Sequence, residues 1–254
     1  MSTERLHPTY PNPTVVEATC NLEFQPSPQA GWQISRPTDL LNSLSPDYRN
    51  VELGPRIGMS LGVGAAGMAP RFIQGPPQLM VTNDARTRYL ALGDRHFTFG
   101  HLVPYPGWET FRGHLFSAWE KIIHLARPQV VSRISLRYVN VIPRNSAHPR
   151  LADWLKPTKT IPETLIRSQA DPFMLRLESW VEPQSLLVVT LGLTPPPGSL
   201  SPILFDIDRI SQDSLPPDPS QLITHLDRLH EDVWREFASA HTSQLQAHLQ
   251  GAST

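Results

Sequence analysis

The chain has 254 residues, 39% hydrophobic and 18% charged, with a formal net charge of −1. This composition excludes a highly charged disordered chain, and no whole-molecule field draws it to nucleic acid or to an anionic membrane. Proline is the outlier at 27 residues, against a usual ~5%.

In chain order, the first 13 residues are polar and Pro-rich, with no apolar segment of the kind a signal peptide needs, and the expected location is cytoplasmic. Residues 15–24 alternate, with Val16, Ala18, Cys20, Leu22 and Phe24 on one face and Val15, Glu17, Thr19, Asn21 and Glu23 on the other. Period two with one apolar face predicts a half-buried strand. Cys20 is the only cysteine, so there is neither an internal disulfide nor a thiolate cluster; it reads as a small buried hydrophobe. Residues 37–44 predict a short helix and 56–63 a strand. Segments 79–82 and 88–92 flank Asn83-Asp84 as a hairpin, and 95–101 alternates again.

From Gly107 to Ala126 the period changes. Trp108, Phe111, Leu115, Trp119 and Ile122 recur at three and four, which predicts an amphipathic helix ended by Pro128. Residues 130–142 form the longest predicted strand. Ile134, Leu136, Tyr138, Asn140 and Ile142 share its core face, and Arg133, Ser135 and Arg137 begin the other. Strands follow at 173–181, 186–193 and 203–210. The last element is a helix over about 218–249: Asp218 is a natural N-cap, Pro219 suits the first helical position, and Leu222, Leu226, Leu229, Val233 and Phe237 form its buried stripe. The expected class is α+β: a largely antiparallel sheet with two long amphipathic helices on one face, as a single domain over 1–254, with 143–170 as the alternative point of subdivision. The part through residue 142 fits a ferredoxin-like βαββαβ variant, followed by a βββα unit.

Three motifs suggest chemistry. Gly62-Val63-Gly64-Ala65-Ala66-Gly67 matches a dinucleotide fingerprint, but that needs a following helix, and Pro70 falls within its first turn. Gly58-Met59-Ser60-Leu61-Gly62 matches a nucleophile elbow, with Asp206 or Asp208 and His225 or His230 in hydrolase order; it too lacks the strand–turn–helix context. Asp206 and Asp208 share one strand face, and paired carboxylates can hold a divalent cation, although a salt-bridged face is the commoner use. The ten histidines show no metal spacing. No catalytic residue, metal site or cofactor is therefore assigned.

What remains is a charged strand face. Glu17, Arg133, Arg137, Asp206 and Asp208 are the candidate binding residues, with Tyr138, Asn140 and Trp108 as structural ones. The two arginines and the two aspartates repeat one geometry with opposite sign, so their strands are expected to be neighbours with the charges paired. Residues 86–150 hold ten Lys/Arg against three acids. That makes nucleic-acid binding by this basic segment the first alternative, and a hydrolase at Ser60 or a metal-dependent enzyme at Asp206/Asp208 the second.

The runs Tyr105-Pro106-Gly107-Trp108-Glu109-Thr110-Phe111, Arg133-Ile134-Ser135-Leu136-Arg137-Tyr138-Val139-Asn140 and Phe205-Asp206-Ile207-Asp208 resemble a sporadically distributed family of bacterial and archaeal proteins of this length. The opening Tyr10-Pro11-Asn12-Pro13 and the ending from Leu229-His230 through Phe237 to Thr242 are similar to that family as well. The family has no assigned reaction, and its scattered occurrence resembles that of mobile or antiviral-defence genes. The leading expectation is a non-enzymatic binding protein, an accessory or regulatory subunit with a protein partner and no membrane association.

Overall fold

The computed structural model describes residues 7–28, 42–44, 46–64, 67–156, 173–193 and 200–252, with the backbone alone for 53–64 and 67–77. Among the described residues, nine strands form one sheet: β1 (Val15–Pro26), β2 (Asn50–Gly64), β3 (Gly67–Thr82), β4 (Arg88–Leu92), β5 (His96–Leu102), β6 (Pro128–Ile142), β7 (Phe173–Glu182), β8 (Ser185–Leu193) and β9 (Ile203–Ser211). Their order across the sheet is β2-β3-β4-β5-β1-β6-β9-β8-β7, and every neighbouring pair is antiparallel. The α+β class and the largely antiparallel sheet are as the alternation predicts.

Two helices cover the apolar face. Helix α1 (Trp108–Ala126) buries Phe111, Leu115, Trp119 and Ile122. Gly107 precedes it with φ 89°, a value that L side chains rarely adopt, which accounts for glycine just before Trp108. Arg127 ends α1 in the left-handed region, and Pro128 starts β6 at once. A short turn of helix, α2 (Leu151–Trp154), buries Trp154.

The predicted final helix is two helices. Helix α3 (Pro219–Ser239) begins as expected, with the Asp218 carboxylate accepting from the backbone N–H groups of Ser220 and Gln221. It stops at Ala240, and Thr242 caps a new helix, α4 (Ser243–Leu249), by accepting from the Leu245 N–H. The break is held from outside. His241 forms a β-bridge with Leu155, and the Thr242 hydroxyl donates to the carbonyls of Asp153 and Trp154. Most of the helix predicted over 37–44 lies outside the described residues; 42–44 are helical. No helix among the described residues is long and apolar enough to cross a membrane.

The core lies between the sheet and the helices. Ala18, Cys20, Leu22 and Phe24 of β1 meet Phe97 and Phe99 of β5, Ile134 and Leu136 of β6, and Ile207 of β9. Cys20 is fully buried, and burial pushes its thiol pKa up, which leaves it inert at neutral pH.

Candidate functional site

The apolar layer does not close completely at the end where β1 starts and β6 finishes. A cavity of about 210 Å³ opens there between residues 7–15, the 105–108 turn, β6 and α3. The alternation of β6 places Tyr138 and Asn140 in its wall. The Tyr138 and Tyr105 hydroxyls are hydrogen bonded at 2.8 Å, with their rings edge to face. Asn140 is 2% exposed: its Oδ1 accepts from the Thr14 hydroxyl at 3.0 Å, and its Nδ2 donates to the Phe205 carbonyl at 3.2 Å. The amide therefore joins the N-terminal segment to β6 and β9. Asn140→Ala should cost about 1–3 kcal/mol in a urea titration, because the partners stay buried and lose their bonds.

The other wall is aromatic. Trp108 and His230 stack at 4.2 Å, nearly parallel at 6°. His7 lies 4.9 Å from both His230 and Trp234. Asp227 of α3, one turn before His230, fixes this stack. It accepts from the Trp108 indole N–H at 2.9 Å and from the Arg112 guanidinium at 2.7 Å, tying α1 to α3.

The histidine and tyrosine rings of the walls are neutral at pH 7, and Glu109, paired with Arg112 at 2.6 Å, also lines the cavity. Burial lowers the His230 pKa to about 3, with His7 and Arg112 adding to the effect. Burial likewise lowers His7, a shift opposed by the Glu231 carboxylate 3.0 Å away, and raises the phenols of Tyr10, Tyr105 and Tyr138. The site thus offers aromatic faces, a few neutral hydrogen-bonding groups and the Glu109 carboxylate, and among the described residues no three side chains are gathered to hold a metal ion.

The charged residues singled out in the sequence lie on the opposite face of the sheet. β6 and β9 are neighbours, as their charge pattern required, with Arg137 opposite Asp208 and Val139 opposite Asp206. Arg137 grips Asp206 through two hydrogen bonds, at 2.8 and 2.7 Å, and these raise its own pKa. Asp208 accepts from the Ser135 hydroxyl at 2.6 Å, and its burial pushes its pKa up. Arg133 pairs with Glu23 at 3.4 Å. Glu17 accepts from the Tyr89 hydroxyl at 2.7 Å; Tyr89 reaches it across Gly100, where any side chain would collide with the phenol ring. These residues are engaged with one another. Asp206 and Asp208 each hold a partner from β6, a salt-bridged and hydrogen-bonded arrangement.

The basic segment is not one surface. Arg112 and Lys121 belong to α1 on the helical side and pair with Asp227 and Asp47. Arg133 and Arg137 are on the open face, Arg150 pairs with Asp153, and buried Arg144 donates to the Pro149 and Ser201 carbonyls. Ser60 lies within β2 opposite Arg71, not on a strand-to-helix turn, so the elbow geometry is absent. The Gly62–Gly67 run likewise joins two antiparallel strands and leads into no helix.

Of the residues assigned to structure, Trp108, Tyr138 and Asn140 all line the cavity, alongside His7, Tyr10, Tyr105, His230 and Trp234, which spacing alone did not select. The available signal was the set of resemblance motifs, since Tyr10, Tyr105-Pro106-Gly107-Trp108, Tyr138, Asn140 and His230 come from four of them and meet here. No protein-family model, curated protein or solved structure matches the chain.

Proposed function

We propose that the protein acts by binding, not catalysis, as an accessory or regulatory subunit of a larger system, and that the aromatic cavity holds a small, uncharged, planar ligand. The observation that carries this reading is the Trp108–His230 stack beside the Tyr105–Tyr138 hydroxyl pair in a space of about 210 Å³. A cavity of about 150 Å³ suffices for benzene, so one or two fused rings fit. An anionic ligand would meet no counter-charge among the lining side chains and would lose its hydration. Membership of the sporadically distributed family belongs to the same reading, because that family's motifs supply the walls. A cytoplasmic component of a mobile or antiviral-defence gene cassette is the setting it suggests, with a protein partner. The β6-β1-β5-β4 order with α1 between β5 and β6 supports a ferredoxin-like unit extended by the β2–β3 hairpin.

The test is thermal denaturation and calorimetry with indole, adenine and uracil as uncharged planar probes and benzoate as the charged control. At least one ring should raise the melting temperature in proportion to its occupancy, benzoate should not, and Trp108→Leu should abolish the effect. Failure of all three rings would overturn the cavity reading. Tight oligonucleotide binding at physiological salt, weakened by Arg133→Ala and Arg137→Ala, would instead favour nucleic acid.

A further inference from the structure

β7 forms one edge of the sheet, and among the described residues nothing pairs with its outer side. Edge strands are normally blunted by bulges, prolines or unpaired charge. β7 has no proline, and its one irregularity lies after Trp180. From Met174 to Trp180 it runs regularly and is the most exposed strand whose side chains are described. Trp180 is 58% exposed and Met174 54%, with Leu177 and Val181 exposed as well. Outside the sheet edge, such a patch marks an interaction surface.

The order of residues along this edge says what fits it. Met174, Arg176, Glu178 and Trp180 share one face, opposite Gly192, Thr190, Val188 and Leu186 of β8; Leu175, Leu177 and Ser179 share the other. We propose that β7 pairs antiparallel with β7 of a second copy of this chain, about a two-fold axis through Leu177 and perpendicular to the sheet. An axis in that direction keeps each face on its own side, so residues of the same face meet and the helical layers of both copies stay together. Leu177 then faces Leu177 of the second copy, Arg176 faces Glu178 twice, and Met174 faces Trp180 twice. Moving the axis one residue either way sets Arg176 against Arg176 or Glu178 against Glu178, which like-charge repulsion disfavours. The strand is thus self-complementary in charge and in apolar content in this register. In the isolated chain Arg176 and Glu178 bond each other at 2.8 Å, two residues apart on the same face. In the dimer both groups turn to the facing strand.

The test is sedimentation equilibrium of the full chain from low to high micromolar concentration, with charge-exchange variants. Wild type should be a concentration-dependent dimer. Arg176→Glu and Glu178→Arg each put like charges opposite each other at two symmetric places, and each should weaken dimerisation roughly tenfold. Their melting temperatures at low concentration should match wild type, since the site is exposed. Mixing the two variants recreates both attractive pairs, so the mixture should dimerise where neither does alone, and the double exchange in one chain should also recover. A wild type that stays monomeric throughout would overturn the proposal and leave the edge to a foreign strand. So would single variants that dimerise as tightly as wild type, or a mixture that fails to recover.

Discussion

Trp119→Ala should destabilise the protein by about 3–5 kcal/mol, the range for removing a buried aromatic side chain. Trp119 is fully buried at the middle of α1, where its ring packs against Phe24 at 5.8 Å and Phe97 at 5.6 Å. Its indole N–H also donates to the Pro217 carbonyl at 3.1 Å, next to the start of α3. One side chain thus joins β1, β5, α1 and the approach to α3. Alanine leaves a void and an unpaired carbonyl, whereas Trp119→Phe retains most of the packing and should cost less than half as much. Chemical denaturation checks this: the midpoint should fall with an unchanged slope. An alanine variant within about 1 kcal/mol of wild type would show that this contact is not central to the core.

Mild acid should destabilise the fold well before the carboxylates titrate. The His230 pKa is about 3 in the folded protein, against 6.5 for an exposed histidine. A depressed pKa means that below 6.5 the unfolded chain takes up a proton that the folded chain refuses. Stability is therefore complete above 6.5 and declines as pH falls toward 3, with His230 alone accounting for about 2 kcal/mol by pH 5. His7, His101, His114, His225, His241 and His248 shift the same way, each by burial first, and add to the trend. Asp208, raised by burial, acts with the opposite sign. His230→Phe keeps a ring against Trp108 and removes the titrating group. Its stability should drop less than that of wild type between pH 7.5 and 5, measured by urea titration at both values. Equal drops would show that His230 carries no part of the acid sensitivity.

The strands were legible wherever one face is apolar and the other polar. Alternation in 15–24 and 130–142 located β1 and β6, and the spacing of Arg133, Arg137, Asp206 and Asp208 anticipated that β6 and β9 would be neighbours. The β2–β3 hairpin was only partly legible, because glycines and Pro55, Pro70, Pro76 and Pro77 interrupt the run and resemble loop punctuation. The break between α3 and α4 was invisible: Phe237, Leu245 and Leu249 keep a spacing that one continuous helix would also satisfy. The cavity was hidden for a related reason. Periodicity tells which residues face inward, not where the inward face is left unfilled, so Trp108, Tyr138 and Asn140 read as core. Its remaining members come from segments far apart in the chain, which only the tertiary fold brings together.

A strand with one solvent-facing side normally tolerates change at every second position. β6 leaves no such positions free along 133–138. Its odd residues Arg133, Ser135 and Arg137 are bonded to Glu23, Asp208 and Asp206, while its even residues fill the core or line the cavity. In a saturation mutagenesis library scored for folded protein, this stretch should show an unbroken block of intolerance. The odd positions would accept only substitutions that keep a matching hydrogen-bonding group. Two sets of contacts, one on each side of the sheet, thus constrain a single six-residue segment.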